Sequence, residues 1–436
     1  MSPIAVVAGA RTPFVKSFTH LDGVSAVDLG TRVVASVLER VGCQPEEVDE
    51  VIFGNVASPP DAANIARVIA LRSGVPHDRI AHTVNRNCGS GMESLVSAWQ
   101  SLSLGRSRMV VAGGTESMSE VPFLWHASSA ALWKKLARTK GLARRLSILS
   151  RLRPRHFSPV PGLKLGLTDP VCRLNMGETA ELLARDFGID RESQDAFACE
   201  SHRRASAARK ACFLSGEITS VVGNEGAEIP RDTAIRDEQT MEQLSRLKPL
   251  FTRRFEPSEP DWERSVTAGN SCPLTDGAAA VVLAKADDLA RFDRAPLGII
   301  RDVAIVGCDP KRMGLGPVFA IAKLLQRYGM RIEDVDAVEI NEAFAAQVLA
   351  CQRALDSDAF SREYLGRSKA LGAIDPERLN IHGGAIAIGH PVGTTGTRLV
   401  MTLLRSLRKF GGRMGIASLC IGGGQGMAML VEAAAD

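Results

Sequence analysis

Residues 90–114 read SGMESLVSAWQSLSLGRSRMVVAGG, and residues 395–419 read TGTRLVMTLLRSLRKFGGRMGIASL. Each stretch has a glycine at its start, continues with apolar residues at helical spacing, passes a glycine turn and ends in a short apolar run. The first part of this plan predicts an amphipathic helix and the last part a buried strand. Two stretches with the same plan predict a chain built from two similar halves.

A second pair of matching segments occurs in the same order along the chain. Residues 46–55 read EEVDEVIFGN, and residues 333–342 read EDVDAVEINE. Apolar runs such as IAVVAG and AAAVVLA alternate with helical segments such as SAVDLGTRVVASVLERVG. We therefore predict an α/β fold with one half over residues 1–290 and the other over residues 291–436. Extra material, roughly residues 120–260, is expected as a loop domain inserted into the first half.

The composition is that of an ordinary globular protein. Apolar residues make up 45% and charged residues 23% of the 436 residues, which excludes a disordered or fibrous chain. The formal net charge of +4 is small for this size and by itself says nothing about nucleic acid. We expect no nucleic-acid partner. Residues 121–168 contain ten Lys and Arg but no Asp or Glu. The basic charge is therefore local.

The compartment is predicted from the cysteines and the N-terminal sequence. Nine scattered cysteines are not typical of a disulfide framework and favour a reducing environment. The opening MSPIAVVAGARTPF lacks the pattern of a secretory signal, and no window reaches the roughly 18 apolar residues of a membrane span. We expect a soluble cytoplasmic protein, with the mitochondrial matrix as the alternative.

The first candidate for chemistry is Cys88, in the segment NRNCGSGMESL at residues 85–95. The Gly-Ser-Gly that follows and the helical run after it predict a sulfur at a helix N-terminus. Unpaired N–H groups and the helix dipole favour an anion there, so we expect a thiolate with a lowered pKa. The alternative is a small core residue, which is what most free cysteines are.

The second candidate is His390, which lies between Gly389 and Pro391 in NIHGGAIAIGHPVGTTGTR at residues 380–398. A loop imidazole beside glycines can approach a ligand closely and take the proton of a thiol nucleophile. Taken alone, such a residue is more often a structural loop histidine. His382 is a weaker choice, because nothing else beside it indicates catalysis.

Two further segments lie at predicted strand ends. SLCIGGGQG at residues 418–426 places Cys420 at the end of an apolar strand, and its glycines offer N–H groups to an oxyanion or a phosphate. It has neither the Lys-Ser/Thr ending of a P-loop nor dinucleotide spacing. NEAFAAQ at residues 341–347 places Asn341 and Glu342 after a strand, where α/β proteins usually place their sites.

Metal and serine-hydrolase chemistry are not indicated. The sequence has no CxxC pair, no HExxH motif and no histidine cluster at ligand spacing. It also lacks the GxSxG elbow of a serine hydrolase. We therefore expect no metal at the site.

Taken together, these segments resemble the thiolase family. The match runs from VVAGARTPF to GMAMLVEA and includes NEAF, GGAIAIGHP with GTTGTR, and CIGGGQG in that order. The resemblance implies a thiolase fold, in which two similar βαβαβ halves pack as a five-layer α-β-α-β-α sandwich. It also implies acyl-CoA and CoA as substrates, no cofactor, and a homodimer or a dimer of dimers.

The resemblance further implies roles for the candidate residues. Cys88 is similar to the nucleophile that carries the acyl group, and His390 to its activating base. Cys420 is similar to the acid/base that protonates the departing enolate. His390 with a water held by Asn341 would form one oxyanion hole. The N–H groups of Cys88 and Gly422 would form the other.

The segments that resemble CoA-binding pieces are LNMGETAELLA, SVTAGNSCPLTDGAAA and NEAF. Short-chain acetoacetyl-CoA thiolases usually have His where this chain has Asn175, and Ser is usual at the position of Cys272. Within NEAF, Glu342 is expected to support the catalytic residues. The expected CoA contacts are Asn175, Met176, Ala268, Ser271, Cys272 and Phe344.

The acid-free stretch, with LARTKGLARRLSILSRLRPRHFSPVPG, resembles an insertion in the thiolase subunits of fatty-acid oxidation complexes, of the bacterial anaerobic or the mitochondrial trifunctional type. In those proteins it approaches a membrane surface or a partner subunit. The leucines interleaved with Lys and Arg predict a basic amphipathic helix or helix pair. A solvated basic face, or bases that bind CoA phosphates, are the alternatives. These leucines are Leu132, Leu136, Leu142, Leu146 and Leu149.

The main functional prediction is degradative. We expect a 3-ketoacyl-CoA thiolase for medium-to-long chains, working beside an enoyl-CoA hydratase/3-hydroxyacyl-CoA dehydrogenase subunit. One alternative is a biosynthetic acetyl-CoA acetyltransferase, which GGAIAIGHP favours but the insertion and Asn175 disfavour. The other is a non-catalytic protein that binds acyl-CoA. A ketoacyl synthase should have a second histidine in place of Cys420.

Overall fold

The computed structural model describes three stretches of the chain, residues 3–251, 262–292 and 294–434. These residues form two compact units. The first contains the chain up to Glu120 and from Asp169 onward, and the second is Val121–Thr168. Of the loop domain predicted at about residues 120–260, only this shorter stretch forms a unit of its own. The boundaries predicted for the two halves stay predictions.

The strands Ile4–Arg11, Met109–Glu116 and Thr275–Lys285 of the large sheet are buried along almost their whole length, as the apolar runs predict for strands covered on both faces. The strands in the described stretches are β1 Ile4–Arg11, β2 Val15–Lys16, β3 Glu50–Gly54, β4 Ile80–Val84, β5 Met109–Glu116, β6 Phe123–Trp125, β7 Pro159–Pro161, β8 Val221–Val222, β9 Glu228–Ile229, β10 Thr275–Lys285, β11 Gly298–Gly307, β12 Ala337–Ile340, β13 Met414–Ile421 and β14 Gln425–Ala433.

The helices connect these strands. They are α1 Ala26–Val41, α2 Ile65–Arg72, α3 Ser90–Ser103, α4 Ala127–Arg138, α5 Leu142–Leu149, α6 Gly162–Gly166, α7 Met176–Asp186, α8 Arg191–Lys210, α9 Met241–Ser245, α10 Gly316–Tyr328, α11 Ala345–Leu355, α12 Asp358–Tyr364, α13 Ala385–Ile388 and α14 Thr395–Phe410. Short 3-10 helices occupy Pro45–Glu47, Pro154–Phe157, Ala286–Arg291, Pro310–Leu315, Ile332–Asp334 and Pro376–Arg378.

The large sheet is mixed and has the order β12-β13-β14-β11-β1-β10-β5-β3-β4, with β2 paired to β10. The series β1-β10-β5-β3 and β11-β14-β13-β12 have the same sequence of antiparallel and parallel pairings. The repeated stretches of sequence supply β3, β5, β12 and β13, so the prediction of two similar halves is confirmed. In the second half, the place of β4 is taken by a single parallel bridge between Val338 and Leu379.

Helices separate the two half-sheets and cover their outer faces. The central pair, α3 and α14, pack on each other, α3 on β3 and β5 and α14 on β12, β13 and β14. On the outer faces, α1 and α2 cover the first half and α10 the second. Successive residues of β3 alternate accordingly: Val51 and Phe53 pack with α1 and α2, and Ile52 packs with the central pair. This is the predicted α-β-α-β-α arrangement.

The central helices approach closely at two glycines that hold equivalent positions in the repeated stretches. A Cβ on Gly91 would lie 2.9 Å from the carbonyl oxygen of Gly393. A Cβ on Gly396 would lie 2.3 Å from the backbone nitrogen of Met92. Any side chain here would collide with backbone, so glycine is what lets the N-terminal ends of α3 and α14 lie side by side. The loops that precede the two helices are thereby brought into one region.

Candidate active site

The structure brings together five of the predicted residues from four separate segments. Cys88 lies in the loop before α3, His390 in the loop before α14, Asn341 directly after β12, and Cys420 near the end of β13. The backbone N–H of Gly422 lies near enough to Cys88 to lower the pKa of its thiol. The Asn341 side-chain nitrogen lies 3.5 Å from His390 Nε2, and the thiols of Cys88 and Cys420 interact electrostatically.

Cys88 lies two residues before the first residue of α3, and Gly89 is the N-cap of that helix. Burial is the largest influence on the Cys88 thiol and raises its pKa, while the N–H groups of Gly422 and of Cys88 itself act in the opposite direction. The negative charge of Glu116 raises this pKa further. The prediction of a lowered pKa is therefore wrong, because desolvation outweighs the hydrogen bonds to the sulfur. The thiol needs a neighbouring base to lose its proton.

His390 is buried and has a defined tautomer. The Thr395 hydroxyl donates its proton to the carbonyl of Pro391 at 3.1 Å. Its oxygen lies 2.6 Å from His390 Nδ1, and with the hydroxyl proton on the Pro391 carbonyl it accepts from an Nδ1–H group. Burial, with a smaller contribution from the charge of Arg398, lowers the pKa of His390 to about 4. The ring is thus neutral at physiological pH and presents the lone pair of Nε2.

Asn341 carries an unsatisfied acceptor next to this ring. Its backbone N–H donates to the Ser418 carbonyl at 2.9 Å, which fixes the residue at the end of β12. Its side chain is buried, and Oδ1 has no hydrogen-bond partner among the residues that the structure describes. Buried polar atoms are almost always paired. This oxygen therefore marks a place for a water molecule or a substrate group.

Glu342 supports the loop that leads to His390. Its carboxylate accepts from the Ser201 hydroxyl at 2.6 Å, from Asn380 Nδ2 at 2.8 Å and from the Ile386 N–H at 3.2 Å. Burial raises the pKa of Glu342, and the Ser201 and Asn380 hydrogen bonds lower it. These contacts tie the end of β12 to α8 and to α13, and the supporting role of Glu342 stays a prediction.

His382, the weaker histidine candidate, packs in an aromatic stack. Its ring lies 3.6 Å from the ring of Phe213 and 5.6 Å from the ring of Phe410, measured between centroids. Burial lowers the pKa of His382 to about 4. The side chain therefore contributes to packing as a neutral ring.

Cys420 is almost completely buried near the end of β13. Burial raises its pKa well above the ordinary value, and the nearby thiols of Cys88, Cys351, Cys272 and Cys308 act in the same direction. The group is thus a protonated thiol at neutral pH. A protonated thiol beside a nucleophilic one is a proton donor, and it becomes a base only after it has given its proton away.

Three of the six residues expected to contact CoA are Met176, Cys272 and Asn175. Met176 lies against the glycine turn, since a Cβ on Gly422 would be 3.3 Å from its sulfur. Burial and the nearby charge of Cys88 raise the pKa of the Cys272 thiol to about 12. Asn175 instead caps α7 by accepting from the Gly177 N–H at 3.0 Å.

The other three expected CoA contacts are Ala268, Ser271 and Phe344. Ala268 and Ser271 lie in the loop before β10, and Phe344 pairs with that loop. The Ser271 hydroxyl donates to the Thr267 carbonyl at 2.6 Å, and Ser271 forms a backbone bridge with Phe344. Ala268 is exposed at the bend before them. Thus Asn175 and Ser271 already have partners within the protein, while Met176 and Cys272 lie close to the catalytic residues.

Glu116 is a buried carboxylate of the site that the sequence patterns missed. Oε2 accepts from the N–H groups of Val56 and Gly393 at 3.0 and 2.9 Å, and Oε1 accepts from the Ala57 N–H and Asn55 Nδ2 at 2.9 and 3.1 Å. Burial nevertheless raises the pKa of Glu116 to about 7. This carboxylate fixes the Gly393 loop next to β3. A glutamate two residues after the apolar run MVVAGG was the available signal.

Arg398, one turn after Thr395 on α14, is a second buried charged residue that the sequence patterns missed. Its guanidinium is fully buried and donates through Nη1 to Glu339 at 3.0 Å. Nε and Nη2 have no partner in the part of the chain that the structure describes. Burial raises the pKa of Glu339 to about 7, and the charge of Arg398 opposes that shift. The positive charge of Arg398 adds to the larger effect of burial in lowering the pKa of His390.

The unit Val121–Thr168 contains the predicted helix pair, α4 and α5. The leucines of α4 are partly buried, whereas Leu142, Leu146 and Leu149 of α5 are 75%, 56% and 40% exposed. The hairpin of β6 and β7 adds exposed Phe123 and Trp125. The unit therefore presents apolar side chains together with its basic ones. None of the helices in the described stretches is long and apolar enough to span a membrane.

Two family models match the chain. The model of the thiolase N-terminal domain matches residues 4–287, and that of the thiolase C-terminal domain matches residues 294–433. The 3-ketoacyl-CoA thiolases of Yersinia enterocolitica and Alteromonas mediterranea are each 39% identical over 431 residues, which is 98% of this chain and 96% of theirs.

Solved structures give the same result at the level of the fold. The acetyl-CoA acetyltransferase of Bacillus anthracis superposes with a TM-score of 0.85 and 35% identity, covering 100% of this chain and 99% of that one. Human mitochondrial 3-ketoacyl-CoA thiolase in complex with CoA superposes with a TM-score of 0.83 and 35% identity, covering 100% and 98%.

Proposed function

The chain belongs to the thiolase family, and from this membership we propose a role for each residue of its site. Its activity is that of a degradative acyltransferase, which cleaves a 3-ketoacyl-CoA with CoA into acetyl-CoA and a shortened acyl-CoA. CoA is the co-substrate. The chemistry requires a nucleophile, two proton carriers and two sites for oxyanions, and each of these has a candidate on the chain.

In the first step, His390 Nε2 takes the proton of Cys88, and the thiolate attacks the 3-keto carbon of the substrate. The new oxyanion is on the carbon bonded to the sulfur. It therefore forms beside the N–H groups of Gly422 and Cys88, both of which act on that sulfur and lower its pKa. Each such donor typically contributes about a hundred- to a thousandfold in rate. These two N–H groups form the oxyanion hole for the tetrahedral intermediate.

In the second step, the bond between the α- and β-carbons breaks, and its electrons pass into the enolate of acetyl-CoA. His390, now protonated on Nε2, donates to the enolate oxygen together with a water on Asn341. Cys420 gives its proton to the α-carbon, and acetyl-CoA leaves. The proton that His390 still holds restores the Cys420 thiol, and His390 then takes the proton of the second CoA thiol. The CoA thiolate attacks the thioester, which releases the shortened acyl-CoA, and the departing Cys88 thiolate takes its proton back from His390.

One observation carries this proposal. The thiols of Cys88, which is partly buried, and of Cys420, which is buried, lie within each other's electrostatic influence, and His390 is neutral, with its Nε2 next to the Asn341 side chain. A nucleophile with its base and a separate proton donor is what cleavage of a carbon–carbon bond requires. Simple thioester hydrolysis would not require the second thiol.

A biosynthetic acetyl-CoA acetyltransferase is the second candidate function. The superposition on the Bacillus anthracis acetyl-CoA acetyltransferase favours it. The basic insertion and the use of Asn175 as a helix cap in place of histidine favour the degradative assignment. The two functions use the same catalytic residues, so acyl-chain preference distinguishes them.

We expect the purified protein to cleave 3-ketohexadecanoyl-CoA with CoA at a higher kcat/KM than acetoacetyl-CoA. The measurement is the rate of CoA-dependent acetyl-CoA release from the two substrates under the same conditions. A preference for acetoacetyl-CoA would favour the biosynthetic function. Tight binding of acyl-CoA without turnover of either substrate would identify a non-catalytic acyl-CoA-binding protein.

We also propose that Val121–Thr168 docks on an anionic membrane surface. This unit has ten basic residues and no acidic ones, and the leucines of α5 are exposed beside them. Near an anionic bilayer each basic residue contributes about 1 kcal/mol, and apolar side chains add to binding by entering the interface.

The expected homodimer, dimer of dimers and hydratase/dehydrogenase partner stay predictions, as does the cytoplasmic location.

Vesicle sedimentation tests this docking. We expect binding to vesicles that contain phosphatidylglycerol, weaker binding at high salt, and none to pure phosphatidylcholine. Combined replacement of Leu142, Leu146 and Leu149 by serine should weaken binding by about tenfold or more. The control is Leu104→Ser, which changes an exposed leucine of the other unit. Equal binding of all three proteins would contradict the proposal.

A further inference from the structure

Asn87, the residue directly before Cys88, connects two segments of the site that are far apart in sequence. Its side-chain Nδ2 donates to the Gly422 carbonyl at 2.8 Å. The backbone of Asn87 is left-handed, with φ of 46°, a conformation that asparagine tolerates better than most residues. One small side chain therefore joins the nucleophile loop to the glycine turn between β13 and β14.

The backbone of Asn87 is itself fixed on both sides. Its N–H donates to Asn85 Oδ1 at 3.0 Å. Its carbonyl accepts from the hydroxyl of Ser90 at 2.7 Å and from the N–H of Ser90 at 3.0 Å. Ser90 is the first residue of α3. The amide is thus held on a rigid support and can serve as a fixed clamp.

The glycine turn needs such a clamp, because glycine allows rotation that other residues do not. The N–H and the carbonyl of Gly422 belong to two adjacent peptide planes, which are joined only at its Cα. Pairing of Ile421 with Gln425 at the end of β13 holds the first plane. The hydrogen bond from Asn87 holds the second. Gly423 and Gly424, both with positive φ, give the rest of the turn little stiffness of its own.

We propose that Asn87 is a positioning residue that holds the Gly422 peptide in register with the Cys88 peptide, so that both N–H groups meet one thioester oxygen. Asn87 is joined by a peptide bond to Cys88, which supplies one N–H donor. It is hydrogen-bonded to Gly422, which supplies the other. Asn87 therefore sets the spacing between the two N–H groups. The role of that oxyanion hole rests on the proposed function. The clamp itself does not, because the hydrogen bond from Asn87 to the Gly422 carbonyl forms without any substrate, and the Gly422 N–H already lowers the pKa of the Cys88 thiol.

Two substitutions of Asn87 test the clamp. Asn87→Gly keeps the left-handed backbone accessible and removes the amide. Asn87→Asp keeps the size of the side chain but places a carboxylate against the Gly422 carbonyl. We expect each variant to lower kcat by about tenfold, less than the loss of a whole oxyanion donor. The KM for CoA should change by less than about twofold, because a misaligned N–H weakens transition-state contacts most.

The matched control is Arg86→Ala. Arg86 bridges the same two loops from the neighbouring position, by donating to Gln425 at 3.0 Å, and it also pairs with Glu93. This bridge does not involve the Gly422 peptide, so the control should keep kcat within about twofold of the native value. A loss as large as that of the Asn87 variants would overturn the specific role of Asn87.

A second readout needs no turnover. Alkylation of Cys88 by iodoacetamide, followed by mass spectrometry of the Cys88 peptide, gives the pH at which the thiol becomes reactive. Loss of the aligned Gly422 N–H should move this midpoint upward by about half a unit or more in both Asn87 variants, and not in Arg86→Ala. A purely structural defect would lower the yield of folded protein without moving the midpoint.

The outcomes separate the two proposals. An active native enzyme with unchanged kcat and an unchanged alkylation midpoint in both Asn87 variants overturns the clamp and leaves the proposed function in place. A native protein that turns over no 3-ketoacyl-CoA ends the proposed function. The alkylation midpoints would then still support or overturn the clamp on their own.

Discussion

Replacement of Cys88 by alanine is expected to lower 3-ketoacyl-CoA cleavage by about 10⁴-fold or more. The variant lacks the sulfur that attacks the keto carbon, and no other group can take its place. His390 is a neutral base without a nucleophile in that variant, and the thiols of Cys272 and Cys420 belong to other segments of the chain, before β10 and near the end of β13. The measurement is CoA-dependent acetyl-CoA release under conditions that saturate the native enzyme.

The covalent intermediate gives this prediction a second readout. Native protein mixed with acetyl-CoA should gain the mass of one acetyl group on the peptide that contains Cys88, and Cys88→Ala should gain none. The control is Cys212→Ser, which changes an exposed cysteine and should keep full activity. An acetyl group found on Cys272 or Cys420 in the native protein would contradict the assignment of the nucleophile.

The fold was predictable because its plan occurs twice in the sequence. The two matching stretches correspond to α3 with β5 and to α14 with β13, so the repeat located a strand and the central helix of each half. The sequence did not indicate that Gly91 and Gly396 serve the contact between these helices. Their function depends on the backbone of the other half, and no local pattern describes that contact.

The sequence was enough to predict which residues belong to the candidate site, but not the direction of their pKa shifts. Cys88 and His390 stand in local patterns that indicate a helix start and a glycine loop. The direction of the Cys88 pKa shift was wrong, because burial is set by packing around the loop and not by its neighbours in sequence. Glu116 and Asn87 were missed for a related reason. Their partners, Gly393 and Gly422, lie hundreds of residues away along the chain.

Replacement of Cys420 by alanine is expected to separate the two halves of the reaction. Cleavage of 3-ketoacyl-CoA should fall by about 10²- to 10⁴-fold, the range for removal of a general acid. Exchange of labelled CoA with acetyl-CoA should stay within about tenfold of native, because the nucleophile and base remain and no proton moves to or from carbon. Incorporation of solvent deuterium into the methyl group of acetyl-CoA should be lost, since that step needs Cys420 as the base.

The matched control for this variant is Cys351→Ala. Cys351 is buried in the same apolar cluster as Cys420, but its thiol donates to the Gly314 carbonyl at 3.1 Å and has no role in the proposed chemistry. Alanine at this position should leave cleavage, exchange and deuterium incorporation close to native. If Cys420→Ala lowered exchange as much as cleavage, Cys420 would be supporting the site and not transferring protons. If deuterium incorporation survived, another group would be the base, and the raised pKa of Cys420 would reflect only its burial.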